Sequence, residues 1–217
     1  MGSGGKGGGS VVTGYKYFMG VQMVPCHGPV DVVRRIVIGE REAWSGAVGS
    51  SQTININKPE LFGGEKREGG VVGDVDILMG DAGQGRNGYL AKHQGETCPA
   101  YKGLLSILFK AFMWSSGNPY FKAPWVEVTR VLKGWDGEPW YPAKAYVGDY
   151  DMNPAHIVYQ CLTSQAWGMG YSASDLDDGS FRAAADKLHG EGFGMSLPWD
   201  TQSSVEDFVK VILNHVN

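Results

Sequence analysis

Runs of β-branched residues and alternating patterns dominate the chain between residues 11 and 148. Residues 30–38 include six valines and isoleucines, which is typical of a buried strand. Residues 53–57 and 125–131 alternate polar with apolar side chains, as half-exposed strands do. A further apolar run over residues 71–79 predicts another strand.

The most apolar segment, residues 104–114, is compatible with a long buried strand or with a helix, and we favour a strand. Strands at this density, separated by glycines, are typical of a β-barrel or a β-sandwich.

Helical spacing replaces the strand pattern after Gly148. Asn153 and Pro154 are a favourable N-cap and first helical residue, and apolar residues three and four apart follow them. Residues 178–189 predict a second helix, which Gly190 ends.

A third helix closes the sequence. Ser203 and Glu206 have the spacing of a capping box at its start. Its apolar face consists of Val205, Phe208, Val209, Ile212 and Leu213. No strand follows before Asn217, so we expect this face to lack a cover and the region to continue beyond the chain.

The fold class predicted from these patterns is α+β. Residues 1–10 are expected to form a flexible glycine-rich arm, because they carry no apolar side chain after Met1. Residues 11–148 are expected to form a strand-rich barrel or sandwich domain. Residues 149–217 are interpreted as the helical part of a smaller, incomplete α/β domain.

Composition narrows the possible functions. The chain has 217 residues, a formal net charge of −4 and 42% apolar residues, so it can form a core but lacks the basic excess of a nucleic-acid-binding surface. No segment has the length of a membrane span, and the first residues lack the apolar stretch of a secretory signal. Three widely spaced cysteines do not make a disulfide framework, which favours a reducing cytoplasm.

The glycine pattern at residues 83–88 matches G-x-G-x-x-G after a predicted strand. Dinucleotide binding would need a βαβ unit with a helix starting there, but Gly95 and Pro99 end any such helix within two turns. We interpret the pattern as the flexible tip of a hairpin.

Calcium, zinc and cysteine chemistry are not favoured either. Asp149, Asp151 and Asn153 begin like a calcium loop, but the glycine and the glutamate that such a loop needs are missing. The acidic residues Asp175, Asp177 and Asp178 are interpreted as a solvated helix entry.

The cysteines and histidines have unsuitable spacing for a shared site. Cys26 and His27 are adjacent, and His156 lies five residues before Cys161, so neither pair converges in its predicted element. The sequence predicts no catalytic, cofactor-binding or metal-binding residue.

Aromatic residues are concentrated between positions 114 and 146. The set consists of Trp114, Tyr120, Trp125, Trp135, Trp140, Tyr141 and Tyr146. Ordinary packing, an assembly interface and a carbohydrate-stacking surface are all compatible with it.

Three segments in a fixed order carry a family resemblance. The first is the glycine-rich stretch 2–10, followed by a strand and Cys-His-Gly-Pro-Val-Asp at 26–31. The second is Cys-Pro-Ala-Tyr-Lys-Gly-Leu at 98–104, followed by apolar residues 107–109 and the strand at 125–128.

The third segment is Asn-Pro-Ala-His-Ile-Val at 153–158, with Leu162 and Trp-Gly-Met-Gly at 167–170. Together the segments resemble the tail-tip hub proteins of long-tailed bacteriophages, the family of the lambda central tail-tip protein. The chain departs from that family at Cys98 and Lys102, where the family often has His and Arg, and it is shorter than such hubs usually are.

The resemblance implies a structural virion protein without a cofactor. Such hubs form a trimer of β-barrel domains with α/β insertions, which closes the tail tube and takes part in host attachment and DNA ejection. The implied partners are two further copies of the chain, the distal tail ring, other tail-tip proteins and the tape measure. DNA would be met only in transit and the host surface through other regions, without stable membrane insertion. Assembly would occur in the bacterial cytoplasm, and the mature location would be the tail tip.

Two alternatives stay open. One is a tail-associated cell-wall hydrolase or peptidase, although no catalytic set is visible in the sequence. The other is a carbohydrate-binding module that uses the tryptophan-rich stretch.

Overall fold

The computed structural model describes residues 14–116, 120–131 and 138–216. About 35% of the chain is strand and about 25% is helix, and the sheets are antiparallel, which agrees with the predicted α+β class. The predicted glycine-rich arm at residues 1–10 lies outside the described residues.

Most of the β-strands precede most of the α-helices along the chain. In chain order they are β1 (Lys16–His27), β2 (Val32–Ile38), β3 (Arg41–Val48), β4 (Gln52–Lys58), β5 (Val71–Leu78), α1 (Gly88–Gln94), β6 (Leu104–Ser116), β7 (Pro124–Thr129), β8 (Tyr146–Val147), β9 (Asp151–Met152), α2 (Pro154–Thr163), α3 (Asp178–Gly190) and α4 (Val205–Val216).

Two sheets share one hydrophobic core. The larger has the order β1-β6-β5-β4 and the smaller β3-β2-β7. Their inward side chains, such as Ile36 of β2, Ile77 of β5 and Phe109 of β6, belong to a single buried cluster. β6 pairs with both β1 and β5 and is almost wholly buried, which explains its continuous apolar sequence. The preference for a strand at residues 104–114 is therefore confirmed.

A short helix occupies the connection between β5 and β6. Helix α1 begins after Asn87, whose side chain accepts hydrogen bonds from the backbone amides of Tyr89 and Leu90. The sequence suggested that residues 83–88 form the flexible tip of a hairpin. That interpretation was wrong, because the segment leads into helix α1. β5 and β6 are nevertheless antiparallel neighbours, so no parallel βαβ unit exists here and a dinucleotide fold is excluded for this motif.

The helices after β9 pack on one another. α2 contacts both α3 and α4. Asn153 caps α2 by accepting a hydrogen bond from the amide of Ala155, as predicted. At α4 the cap differs by one residue from the prediction: Ser204 Oγ accepts from the Asp207 amide, whereas Ser203 Oγ accepts from the indole of Trp199.

The apolar face of α4 is covered more fully than the sequence suggested. Ile212 of α4 is fully buried, and α4 contacts α2. The ring of Phe208 stacks on Trp199, with 4.8 Å between centroids and 6° between ring planes. Leu213 stays largely exposed. The expectation of an uncovered face was therefore wrong for Ile212, which is buried, and for Phe208, which packs on Trp199.

Candidate functional site

An aromatic cluster joins the segment before β8 to α2 and α3. The Trp140 ring stacks on Tyr159 of α2, with 4.5 Å between ring centroids and 14° between ring planes. Phe181 of α3 meets both rings edge-on, at centroid distances of 6.0 and 5.6 Å. The indole nitrogen of Trp140 donates a hydrogen bond of 2.7 Å to Asp178 Oδ1. Stacking and this hydrogen bond together fix the orientation of Trp140.

Arg182 of α3 lies over the same cluster. Its guanidinium carbon is 4.5 Å from the Tyr141 ring centroid and 5.5 Å from that of Trp140. Its Nε lies 2.6 Å from Asp178 Oδ2, and the Tyr141 hydroxyl donates to Asp186 Oδ1 at 3.0 Å. An exposed ion pair contributes little to stability, so the main effect of these contacts is to orient the aromatic rings.

His156 is buried against the aromatic cluster. Its Nε2 is 2.9 Å from the carbonyl oxygen of Tyr141, and because a carbonyl only accepts, Nε2 carries the proton. Burial lowers the pKa of His156 below its ordinary value of 6.5, although the hydrogen bond to Tyr141 opposes this effect. His156 is therefore a neutral, structural histidine at pH 7.

A cleft of about 380 Å³ opens beside the Trp140–Tyr159 pair. This volume lies within the usual range of small-molecule sites. Three segments line the cleft: residues 138–140, the second half of α2 and the loop 164–173. Its aromatic side chains are Trp140, Tyr159, Trp167 and Tyr171.

The loop that carries two of these aromatic residues folds back onto the end of α2. The amide of Met169 donates to the carbonyl of Cys161, and the amide of Tyr171 donates to the carbonyl of Leu162, both at 2.9 Å. A Cβ at Gly168 would lie only 2.5 Å from the Cys161 oxygen, so this close approach requires glycine. The loop therefore presents Tyr171 to the cleft from a fixed backbone.

The polar lining of the cleft is mostly uncharged. It consists of Gln160, Thr163, Ser164, Gln165 and Ser172, together with the single carboxylate Glu138. No Lys or Arg lines the cleft within the described residues. Such a wall can hold a neutral polar ligand but offers no cation for a phosphate or a carboxylate.

The residues considered for catalysis or metal binding lie apart. Cys161 is fully buried, and burial raises its pKa to about 11, so its thiol is protonated at neutral pH. Burial also raises the pKa of Cys26, although the charge of Arg130 opposes this. Asp151 accepts a hydrogen bond from Ser196, and Asp177 caps α3.

Metal-binding chemistry has no assembled ligand set in the described part of the chain. Among those residues, no group of three or more His, Cys, Asp or Glu side chains is placed to hold an ion. Asp175 belongs to a capping box with Ser172 at a short 3-10 helix, which agrees with its interpretation as a helix entry.

The tryptophan-rich stretch does not form one surface. Trp114 is buried in the core of the sheets, whereas Trp125 on β7 is 69% exposed. Trp140 lies in the cleft, and Trp135 falls outside the described residues. Sequence reasoning missed Trp167 and Tyr171, since only the loop that returns to α2 brings them to Trp140.

No protein-family model matches the chain, and no curated protein matches it. Within residues 14–116, 120–131 and 138–216, none of the helices is both long and apolar enough to cross a membrane.

Proposed function

We propose that the protein is a structural component of the tail-tip hub of a long-tailed bacteriophage. The observation that carries this proposal is the ordered set of three sequence segments around residues 26–31, 98–104 and 153–170. In this role the chain assembles as a trimer that closes the tail tube and contacts the distal tail ring, other tail-tip proteins and the tape measure. DNA passes the hub during ejection without stable binding.

Contacts between the first two segments support the proposal. The Gly28 amide donates to the Gly103 carbonyl, and the Gly103 amide donates to the Gly80 carbonyl, both at 2.8 Å. A Cβ at Gly28 would lie 2.6 Å from the Met79 oxygen. The two segments therefore form one packed turn at the end of the sheets, so a shared sequence pattern there has a structural reason.

Exposed aromatic residues on outer strands also support a role in assembly. β1 and β7 are edge strands of their sheets, and Phe18 and Trp125 project from them into solvent. Large apolar side chains at the surface are typical of protein–protein contacts.

The decisive experiment is a reconstruction of the phage particle that carries this chain. We expect three copies of the β1–β7 domain around the tail axis at the tip. A copy number unrelated to three, or a position away from the tail tip, would contradict the proposal.

A cell-wall hydrolase or peptidase is the competing function, and a zymogram separates the two. We expect the purified chain to leave cell-wall material intact, because Cys161 is protonated and buried and the described lining of the cleft holds one carboxylate. A cleared zone that persists after removal of contaminating lysozyme would favour the enzyme.

A further inference from the structure

The cleft beside Trp140 has a mixed aromatic and amide wall that the tail-hub function does not use. We propose that this cleft binds a neutral saccharide, which packs an apolar ring face on Tyr171 and directs hydroxyl groups to the surrounding amide and hydroxyl side chains. The inference does not depend on the tail-hub proposal.

Tyr171 provides an accessible aromatic surface. Its side chain is 50% exposed, and its backbone is fixed by the hydrogen bond to Leu162. Trp140 and Tyr159 stack on each other, so neither turns its paired face to the cleft. Sugar rings have apolar C–H faces that pack against aromatic rings, whereas an aromatic cage for an ammonium group needs several free ring faces.

Polar side chains around Tyr171 suit hydroxyl groups. The side-chain amide of Gln160 makes no hydrogen bond within the described residues, so its donor and its acceptor are both available. Gln165 donates to the Gly170 carbonyl at 2.9 Å and keeps its amide oxygen as an acceptor. An amide that offers one donor and one acceptor matches a pair of neighbouring hydroxyl groups.

Two buried polar atoms add an energetic reason for a ligand. Ser164 Oγ and Trp167 Nε1 are shielded from solvent and have no hydrogen-bond partner among the described residues. A buried donor without a partner costs about 1–3 kcal/mol. Both residues belong to the lining of the cleft.

Charge distinguishes the ligand class. Glu138 is the only charged residue of the described lining, so phosphate, sulfate and carboxylate groups meet no cation there. Arg182 contacts the Trp140 ring but is not part of the described lining, and it is paired with Asp178. One carboxylate does not supply the acid–base pair of glycoside hydrolysis, so the site would bind sugar without cleaving it.

The test uses the full 217-residue chain on an array of neutral hexose and N-acetylhexosamine oligosaccharides, sulfated glycans and immobilised choline. We expect binding to at least one neutral oligosaccharide, followed by tryptophan fluorescence titration to obtain the dissociation constant. Tyr171→Ala should weaken that binding at least tenfold, and Gln160→Ala severalfold.

Tyr150→Ala is the matched control, because Tyr150 is 55% exposed and lies outside the cleft lining. It should bind as the wild type does. The inference is overturned by binding only to choline or sulfated glycans, by absence of binding to every neutral glycan, or by equal loss in both tyrosine variants. None of these outcomes bears on the copy number of the chain in a phage tail.

Discussion

Asn153 joins three parts of the helical region through one fully buried side chain. Its Oδ1 accepts from the Ala155 amide, and its Nδ2 donates to the carbonyl oxygens of Lys144 and Ala185, at 3.1 and 2.9 Å. The sequence predicted the cap, because Asn before Pro is a local signal. It could not predict the two carbonyl partners, which the fold brings from 9 and 32 residues away.

Asn153→Ala should lower the free energy of unfolding by about 2–4 kcal/mol, since it removes a cap and takes a donor from one buried and one partly buried carbonyl. Urea unfolding followed by tryptophan fluorescence measures the change. Asn57→Ala, at an exposed position of β4, is the control and should stay within about 0.5 kcal/mol of the wild type. An equal effect of the two variants would contradict this role of Asn153.

His156 should make the protein less stable in mild acid. Its folded pKa is below the ordinary value of 6.5, so the unfolded chain binds a proton first as the pH falls. The free energy of unfolding should therefore decrease from about pH 7 downward, until the folded pKa is passed. Asp178 stays ionised in this window, because hydrogen bonds from Arg182 and Trp140 lower its pKa.

His156→Gln is the matched variant, because its amide can donate to the Tyr141 carbonyl but does not titrate. Melting temperatures between pH 5 and 7.5 should fall less steeply for this variant than for the wild type. The other histidines are common to both proteins and cancel in the comparison. Parallel curves would show that His156 does not contribute to the acid sensitivity.

Strands and helices could be predicted where the apolar pattern of the sequence follows the burial of the side chains, and not where the two differ. β2 and β5 are rich in valine and isoleucine because they lie inside the shared core. β3 is an edge strand with buried residues only at Ala43 and Val48, so no alternating pattern appears in its sequence. α1 has seven residues, too few to show a helical period.

The buried side of α4 can be tested by substitution. Ile212→Ala should cost about 2–4 kcal/mol of stability, because it leaves a cavity beneath a fully buried side chain. Leu213→Ala, the neighbouring residue at 45% exposure, should cost less than about 1 kcal/mol. Chemical denaturation of both variants measures the difference. Similar losses would mean that the buried Ile212 side chain has no special role in holding α4.

The candidate cleft is formed by several segments of the folded molecule and not by one element. Residues 138–140, α2 and the loop 164–173 line it, and no single segment shows a binding pattern by itself. Composition drew attention to tryptophan, yet it grouped Trp114, Trp125 and Trp140, which the fold separates into core, edge strand and cleft. Convergence of distant residues depends on long-range contacts, which one sequence does not reveal.

We expect the protein to self-associate through β1. Tyr15, just before β1, and Phe18 within it are 67% and 62% exposed, and the outer side of this edge strand has no neighbouring strand among the described residues. Three register shifts along β1 disturb regular strand addition, so contact through side chains is favoured. An aromatic side chain buries about 150–250 Å², so these rings can form the centre of an interface of about 800 Å² per subunit.

Under the tail-hub proposal, sedimentation of the purified chain should show a trimer, and Phe18→Lys should shift the protein toward monomer while leaving its melting temperature nearly unchanged. Val211→Lys is the control, because Val211 is a 44% exposed apolar residue on α4, at the other end of the chain. That variant should sediment as the wild type does. A contact centred on Phe18 cannot tolerate a desolvated lysine ammonium. Two results would therefore show that β1 is not in the interface. One is a monomeric wild type, and the other is an assembly that Val211→Lys disrupts and Phe18→Lys leaves intact.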